Sequence, residues 1–150
     1  MTLHVYTAPF RYRGVDRFDV TRKSGGKDGL PFAPSWRILN PALQARREAE
    51  RLRKCARITE RRDGAEAGAV VAQDRQRADE LEDWAWSDYV PKYMAEMRAS
   101  EKLFPLAWDA LCARELVSLV CYCPSPERCH RRLLAELLQD ACGAVYEGER

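Results

Sequence analysis

Residues 116–132 constrain this 150-residue chain more than any other stretch. An apolar run, Leu116-Val117-Ser118-Leu119-Val120, passes into Cys121-Tyr122-Cys123, then Pro124-Ser125-Pro126, then Glu127-Arg128-Cys129-His130-Arg131-Arg132. Behind it, Leu133, Leu134, Leu137, Leu138 and Ala141 recur at helical spacing. The pattern predicts a buried strand, a tight turn and a helix, with Ser125 as N-cap and Pro126 as first helical residue. Alternation along the strand puts Leu119, Cys121 and Cys123 on one face. Cys129 lies four residues before Leu133, and His130 four before Leu134, so both are aimed at the buried stripe. Strand end and helix start are therefore expected to bring Cys121, Cys123, Cys129 and His130 to one place.

The remaining chain is read from the same signals. Residues 3–8 are β-prone and predict a first strand, which Pro9 ends in a loop with Phe10, Arg11, Tyr12 and Arg13. Residues 17–22 predict a second short strand, and Lys23-Ser24-Gly25-Gly26-Lys27-Asp28-Gly29 follows as a basic, glycine-rich loop. Glycines let backbone N–H groups approach an anion and lysines add charge, so the loop reads as an anion cradle or as an ordinary turn. It lacks the spacing of a Walker loop. Asn40-Pro41 predicts the start of a helix reaching about Arg62, with a thin stripe of Leu43, Leu52, Cys55 and Ile58. Further helices are predicted over about 74–89, with Leu81, Trp84, Ala85 and Tyr89 on one side, and over 103–114, with Phe104, Ala107, Trp108 and Leu111. Pro91 starts or kinks a segment between them, where Tyr93, Met94 and Met97 can pack. Gly143 stops the last helix, and residues 144–147 predict a final strand. The order β, β, helices, β, α, β predicts a single α/β domain over residues 1–150, with a small, mainly parallel sheet flanked by helices.

Composition narrows the function classes. The net charge is only +2, so no global field demands a nucleic-acid partner. The basic residues are nevertheless grouped: six between Arg11 and Lys27 against Asp16 and Asp19, and eight between Arg46 and Arg62 against Glu48, Glu50 and Glu60. Such blocks are solvated helix faces or polyanion-binding surfaces. No apolar run approaches the ~20 residues of a membrane span, and no signal-peptide pattern opens the sequence. A cytoplasmic protein with reduced thiols is expected, in which clustered cysteines bind metal, react or fill space. Cys55, Cys112 and Cys142 are expected to be packing residues.

The junction admits three chemistries. Cys121, Cys123, Cys129 and His130 have the ligand types of a zinc or iron site, although Cys-X-Cys-X5-Cys-His is not a standard spacing and neighbours on a helix diverge by about 100°. A helix N-terminus at the carboxyl end of a parallel strand suits a phosphate or carboxylate, with Arg128, Arg131 and Arg132 nearby. The third reading makes the thiols small core residues and His130 a satisfied interior histidine.

On these residues the chain resembles the domain-of-unknown-function 488 family. The signature is an apolar strand, a cysteine, a short loop and Cys-His-Arg: here Leu119-Val120-Cys121, Cys129-His130-Arg131 and Leu134-Ala135. Val5-Tyr6-Thr7, Phe18-Asp19-Val20-Thr21-Arg22-Lys23-Ser24 and Phe32-Ala33-Pro34-Ser35 match the family's N-terminal features, and the region of Tyr89 and Tyr93 matches more loosely. Many relatives have an acidic residue where this chain has Cys123. The resemblance implies a compact α/β domain and supplies no settled activity.

The expectation is a protein that binds a nucleotide, nucleobase or related small phosphorylated ligand, with Tyr6, Thr7, Arg22, Lys23, Ser24, Arg128 and Arg131 as binding residues. As an enzyme it would be a hydrolase or group transferase. Cys121 or Cys129 would then be nucleophile, His130 acid and base, and Asp19 the orienting carboxylate. The alternatives are a non-enzymatic nucleotide- or nucleic-acid-binding module and a zinc or iron domain held by Cys121, Cys123, Cys129 and His130.

Overall fold

A computed structural model describes residues 1–150. Two compact units are present, Met1–Ser35 with Lys92–Arg150, and Trp36–Pro91. The first contains a four-stranded sheet built from β1 (His4–Pro9), β2 (Arg17–Asp19), β3 (Leu116–Cys121) and β4 (Val145–Glu149), in the order β2-β3-β1-β4. All three pairings are parallel, so the expected α/β class is the observed one. The second strand ends at Asp19 rather than at residue 22, because Asp19 turns the chain. Its Oδ1 accepts from the Thr21 N–H at 2.9 Å and the Thr21 hydroxyl at 2.6 Å.

A parallel pair normally needs a long crossover, yet β1 and β2 are joined by residues 10–16 alone, passing β3. The register explains this: Pro9 pairs with Cys121, but Arg17 pairs with Ser118, so the chain climbs back only part of a strand. The crossover stacks Phe10 on Tyr122 at 4.0 Å and buries Asp16. Asp16 accepts from Ser118 Oγ at 2.6 Å, Tyr12 Oη at 2.7 Å and Arg150 Nη1 at 2.8 Å. Burial pushes its carboxyl up, but the Ser118 and Tyr12 hydrogen bonds and the Arg150 charge bring it below the ordinary value. A depressed folded-state value contributes stability above the unfolded aspartate value of about 3.9, and that contribution is lost as pH falls through the folded value. Asp16→Asn is expected to cost about 2 kcal/mol at neutral pH. It should also flatten the acid limb of stability, as read from urea midpoints on lowering the pH; an unchanged limb would refute the role.

One helical turn, α1 (Gly26–Gly29), occupies the glycine-rich loop. A Cβ on Gly29 would lie 1.8 Å from the Asp19 carbonyl oxygen. The glycine there is needed for close packing of the chain against itself. Gly29→Ala should destabilise by about 3 kcal/mol in chemical denaturation; near-neutral behaviour would show that the turn can move aside.

The Trp36–Pro91 unit is a helical hairpin. It contains α2 (Trp36–Asp63), a 3-10 turn (Gly64–Ala67) and the first part of α3 (Gly68–Leu103). Pro41 lies inside α2 and does not start it as expected, and Pro91, expected to start or kink a segment, lies inside α3 and starts none. The helices are antiparallel, since Arg53 reaches Glu82 at 2.8 Å and Asp79 at 2.6 Å while Arg75 reaches Glu60 at 2.8 Å. Besides Ile38 and Tyr89, the buried positions are Ala45, Ala49 and Ala56 on α2 and Val71, Ala78 and Ala85 on this part of α3. These recur at intervals of four and seven, the spacing of a helix–helix seam. Alanine rather than leucine carries most of the seam, so the expected stripes hold only in part: Ala85 and Tyr89 are buried and Leu43, Leu52 and Leu81 half-buried, but Cys55, Ile58 and Trp84 are exposed.

In the first unit the core below the sheet is aromatic. Phe32 meets Phe18 edge-on at 5.6 Å and Trp108 at 5.1 Å, while Tyr93 donates to the Phe32 carbonyl at 2.8 Å. Short α4 (Pro105–Cys112) supplies Trp108 and Leu111, but Phe104 precedes it and is exposed. Amphipathic α5 (His130–Cys142) buries Leu133, Leu134, Ala135 and Leu138. It stops where expected: Gly143 adopts φ 67, and its N–H returns to the Gln139 carbonyl at 2.9 Å.

Candidate functional site

The junction after β3 does bring the four residues together, by a different local route. Residues 122–129 form turns, α5 begins at His130, and Cys129 is its N-cap in extended conformation (φ −139, ψ 142). Ser125 and Pro126 therefore start no helix; the Ser125 hydroxyl instead accepts the Glu127 N–H at 3.3 Å. This shift removes the objection that adjacent Cys129 and His130 must diverge. Only His130 follows the helix, so the two side chains can converge.

The Sγ atoms of Cys121, Cys123 and Cys129 all lie within 4.8 Å of one another. Cys121 Sγ and Cys123 Sγ are 3.8 Å apart, and His130 Nδ1 is 3.9 Å from the Sγ atoms of both Cys121 and Cys129. His130 Nε2 is 2.7 Å from the Val20 carbonyl oxygen. A carbonyl only accepts, so Nε2 carries the proton and Nδ1 turns a lone pair towards the sulfurs. The Tyr93 ring lies against the imidazole, with centroids 5.6 Å apart. Cys121, Cys129 and His130 are buried, while Cys123 is partly open to solvent.

The surroundings of the two buried thiols, Cys121 and Cys129, favour their protonated forms. The neighbouring Cys123 sulfur, burial and the mutual charge of the cluster push Cys121 up to about 12. Burial first, and then the two other thiols, raise Cys129 well above its usual value. Burial also holds His130 below the ordinary histidine range, although its bond to Val20 opposes this. Neither a lone activated thiolate nor an imidazolium is favoured. The arrangement does cluster three sulfurs, with the imidazole nitrogen of His130 beside two of them, those of Cys121 and Cys129.

Arg131 is fully buried and serves the framework. Its Nη1 donates to the Cys123 carbonyl at 2.8 Å and the Cys121 carbonyl at 3.4 Å, and its Nη2 pairs with Glu149 at 2.7 Å. Its Nε has no partner. Arg131 thus ties the Cys-X-Cys segment to β4. Sequence reasoning missed this role because the salt-bridge partner is the exposed-looking Glu149 of the last strand.

The other expected ligand-binding residues are dispersed or engaged. Arg22 donates to the Pro34 carbonyl at 2.7 Å and the Ala33 carbonyl at 2.8 Å. Asp19 accepts from Thr21 and, through Oδ2, from Ser24 at 2.8 Å, so its carboxylate caps the turn and does not orient His130. Thr7 is buried with its hydroxyl 2.9 Å from Tyr146 Oη, and Tyr6 lies under the Arg150 guanidinium at 3.7 Å. Lys23, Ser24 and Arg128 are exposed, and Tyr122 Oη donates to Ser24 Oγ at 3.2 Å. The loops after β2 and β3 therefore share one rim beside Cys123. Of the other cysteines, Cys55 and Cys142 are exposed and are not packing residues; Cys112 is half-buried.

No helix is long and apolar enough to cross a membrane. No curated protein and no solved structure matches the chain. The sequence model of DUF488-N3a, described as the active DUF488-N3 subclade, matches residues 43–142. The matched segment includes most of the helical hairpin, β3 and the Cys121–His130 junction, and leaves out β1, β2 and β4. With two-thirds of its residues so matched, the chain belongs to the DUF488-N3a family.

Proposed function

We propose that this protein is a metal–thiolate protein that holds one soft divalent cation, zinc foremost, through Cys121, Cys123, Cys129 and His130. The carrying observation is the sulfur–imidazole geometry. A tetrahedral zinc with bonds of about 2.3 Å to sulfur separates two thiolates by about 3.8 Å, and Cys121 and Cys123 already have that spacing. The His130–Val20 hydrogen bond supports the reading further, because metal-binding imidazoles generally donate their other N–H to a fixed acceptor. Four protein ligands make a closed, structural site; exchange at the partly open Cys123 would give a substrate access to the ion.

A second reading is favoured by the shared rim of the β2 and β3 loops. A nucleotide-like or other small phosphorylated ligand would bind outside the carboxyl ends of these parallel strands, against Lys23, Ser24 and Arg128. Hydrolysis or group transfer would then occur beside the cation.

The test is elemental analysis of protein purified without a metal-chelating resin. About one equivalent of zinc or iron is expected, and cobalt substitution should give the intense visible bands of a tetrahedral thiolate site. Metal-free protein that also refuses added zinc and cobalt would refute the metal reading. For the second reading, native mass spectrometry should find a retained anion, and Lys23→Glu should lose it.

A further inference from the structure

The helical hairpin carries a charge pattern that the proposed metal centre does not use. The seam of α2 contains Ala45, Ala49, Leu52 and Ala56, so the positions opposite it are Arg47, Lys54 and Arg61, seven residues apart. Arg51 and Arg57 flank them, making five exposed cations on about 21 Å of one helix at 1.5 Å per residue. Glu50 is the one acid on this face, which also exposes Ile58; Glu48 is drawn sideways to Arg51 at 2.6 Å. The hairpin's ion pairs engage Arg51, Arg53, Arg62 and Arg75, and Arg47, Lys54, Arg57 and Arg61 take no part in them. The outward face of α3 presents Gln73, Gln76, Glu80 and Asp83, with Arg77 beside them, and carries no comparable run of cations.

We infer that the outer face of α2 binds the sugar–phosphate backbone of a nucleic acid. Arginine supplies four of the five cations, and its planar fork matches phosphate oxygens better than a point charge does. The cations recur every three to four residues in a line, which suits a linear polyanion. An anionic membrane would require an apolar face beside the charge, and here the opposite face is taken by the alanine seam. No side chain on the stripe is placed to read bases, so binding should be independent of sequence.

The test is fluorescence anisotropy of the full chain with a mixed-sequence 20-base-pair DNA duplex and an RNA hairpin of similar length, titrated with salt. Backbone binding through four or five phosphates predicts a log–log salt slope of about −4. The triple variant Arg47→Glu, Lys54→Glu, Arg61→Glu should weaken binding at least tenfold and make the slope shallower by about 3, with its helical circular dichroism preserved. If the glutamates disturb the helix, the triple glutamine variant reads the same loss. Absence of salt-dependent binding, unchanged affinity of either triple variant, or equal binding to polyglutamate would overturn the inference. So would preferential binding to anionic vesicles. The metal content of the variants should stay at the wild-type value, whatever that value is.

Discussion

Cys129→Ser is expected to reduce the metal content from about one equivalent to near zero and to lower the unfolding temperature of the purified protein. Cys129 is only 2% exposed, at the N-cap of a helix whose first residue is His130, another member of the proposed site. No neighbouring side chain can take its place, and a serine oxygen is a harder and poorer partner for zinc than a thiolate. In small sites the free energy of zinc binding adds to folding free energy, with apparent values of about 10–16 kcal/mol in zinc-finger peptides. A chelator should therefore destabilise the wild type and leave the variant unchanged. Cys55→Ser, on the exposed side of α2, is the control and should keep its metal. Equal metal and equal chelator sensitivity in Cys129→Ser would remove Cys129 from the site.

Arg131→Met is expected to destabilise the fold by about 3–5 kcal/mol, the range for breaking a buried ion pair from one side. The loss has two parts. Glu149, only partly exposed, is left without its cation, and the carbonyls of Cys121 and Cys123 lose their donor. Arg131→Lys should recover little, because one ammonium cannot span both carbonyls and the carboxylate as the guanidinium does. Urea unfolding of Arg131→Met, Glu149→Gln and the double variant gives the coupling between them. Additive effects would show that the pair does not act as a unit.

The sequence exposed the regular parts of this protein most clearly. The leucines of α5, the stop at Gly143 and the apolar run of β3 each follow from one local rule, and each is found where the rule puts it. That Cys121, Cys123, Cys129 and His130 come close together was legible from the short strand–turn–helix stretch that holds them, which needs no long-range information. The geometry of the site was not. Ser125-Pro126 has the chemistry of a helix start, but the chain first spends residues 122–129 in turns, and Cys129 becomes the cap. The roles of Asp19, Arg22 and Arg131 were misread for a common reason. Charged side chains near a presumed pocket look like ligand contacts, whereas here each satisfies backbone groups: Asp19 caps its own turn at Thr21, and Arg22 and Arg131 reach the carbonyls of Pro34 and Cys123. The hairpin seam was hidden by alanine, which ranks low in hydropathy yet lets two helices approach closely.

The position of β1 has a consequence for how the chain acquires its structure. His4 pairs with Leu116 on one side and Val145 on the other, partners more than a hundred residues away. Nothing made early in synthesis can satisfy that strand, and closing such long loops is slow. The hairpin, by contrast, joins near neighbours through Arg53 and Glu82 or Glu60 and Arg75. Hydrogen-exchange pulse labelling during refolding should therefore protect the amides of α2 before those of β1. The three thiols and the imidazole of the junction, bound up with β3 and α5, would take their final positions only once the first and last strands have met.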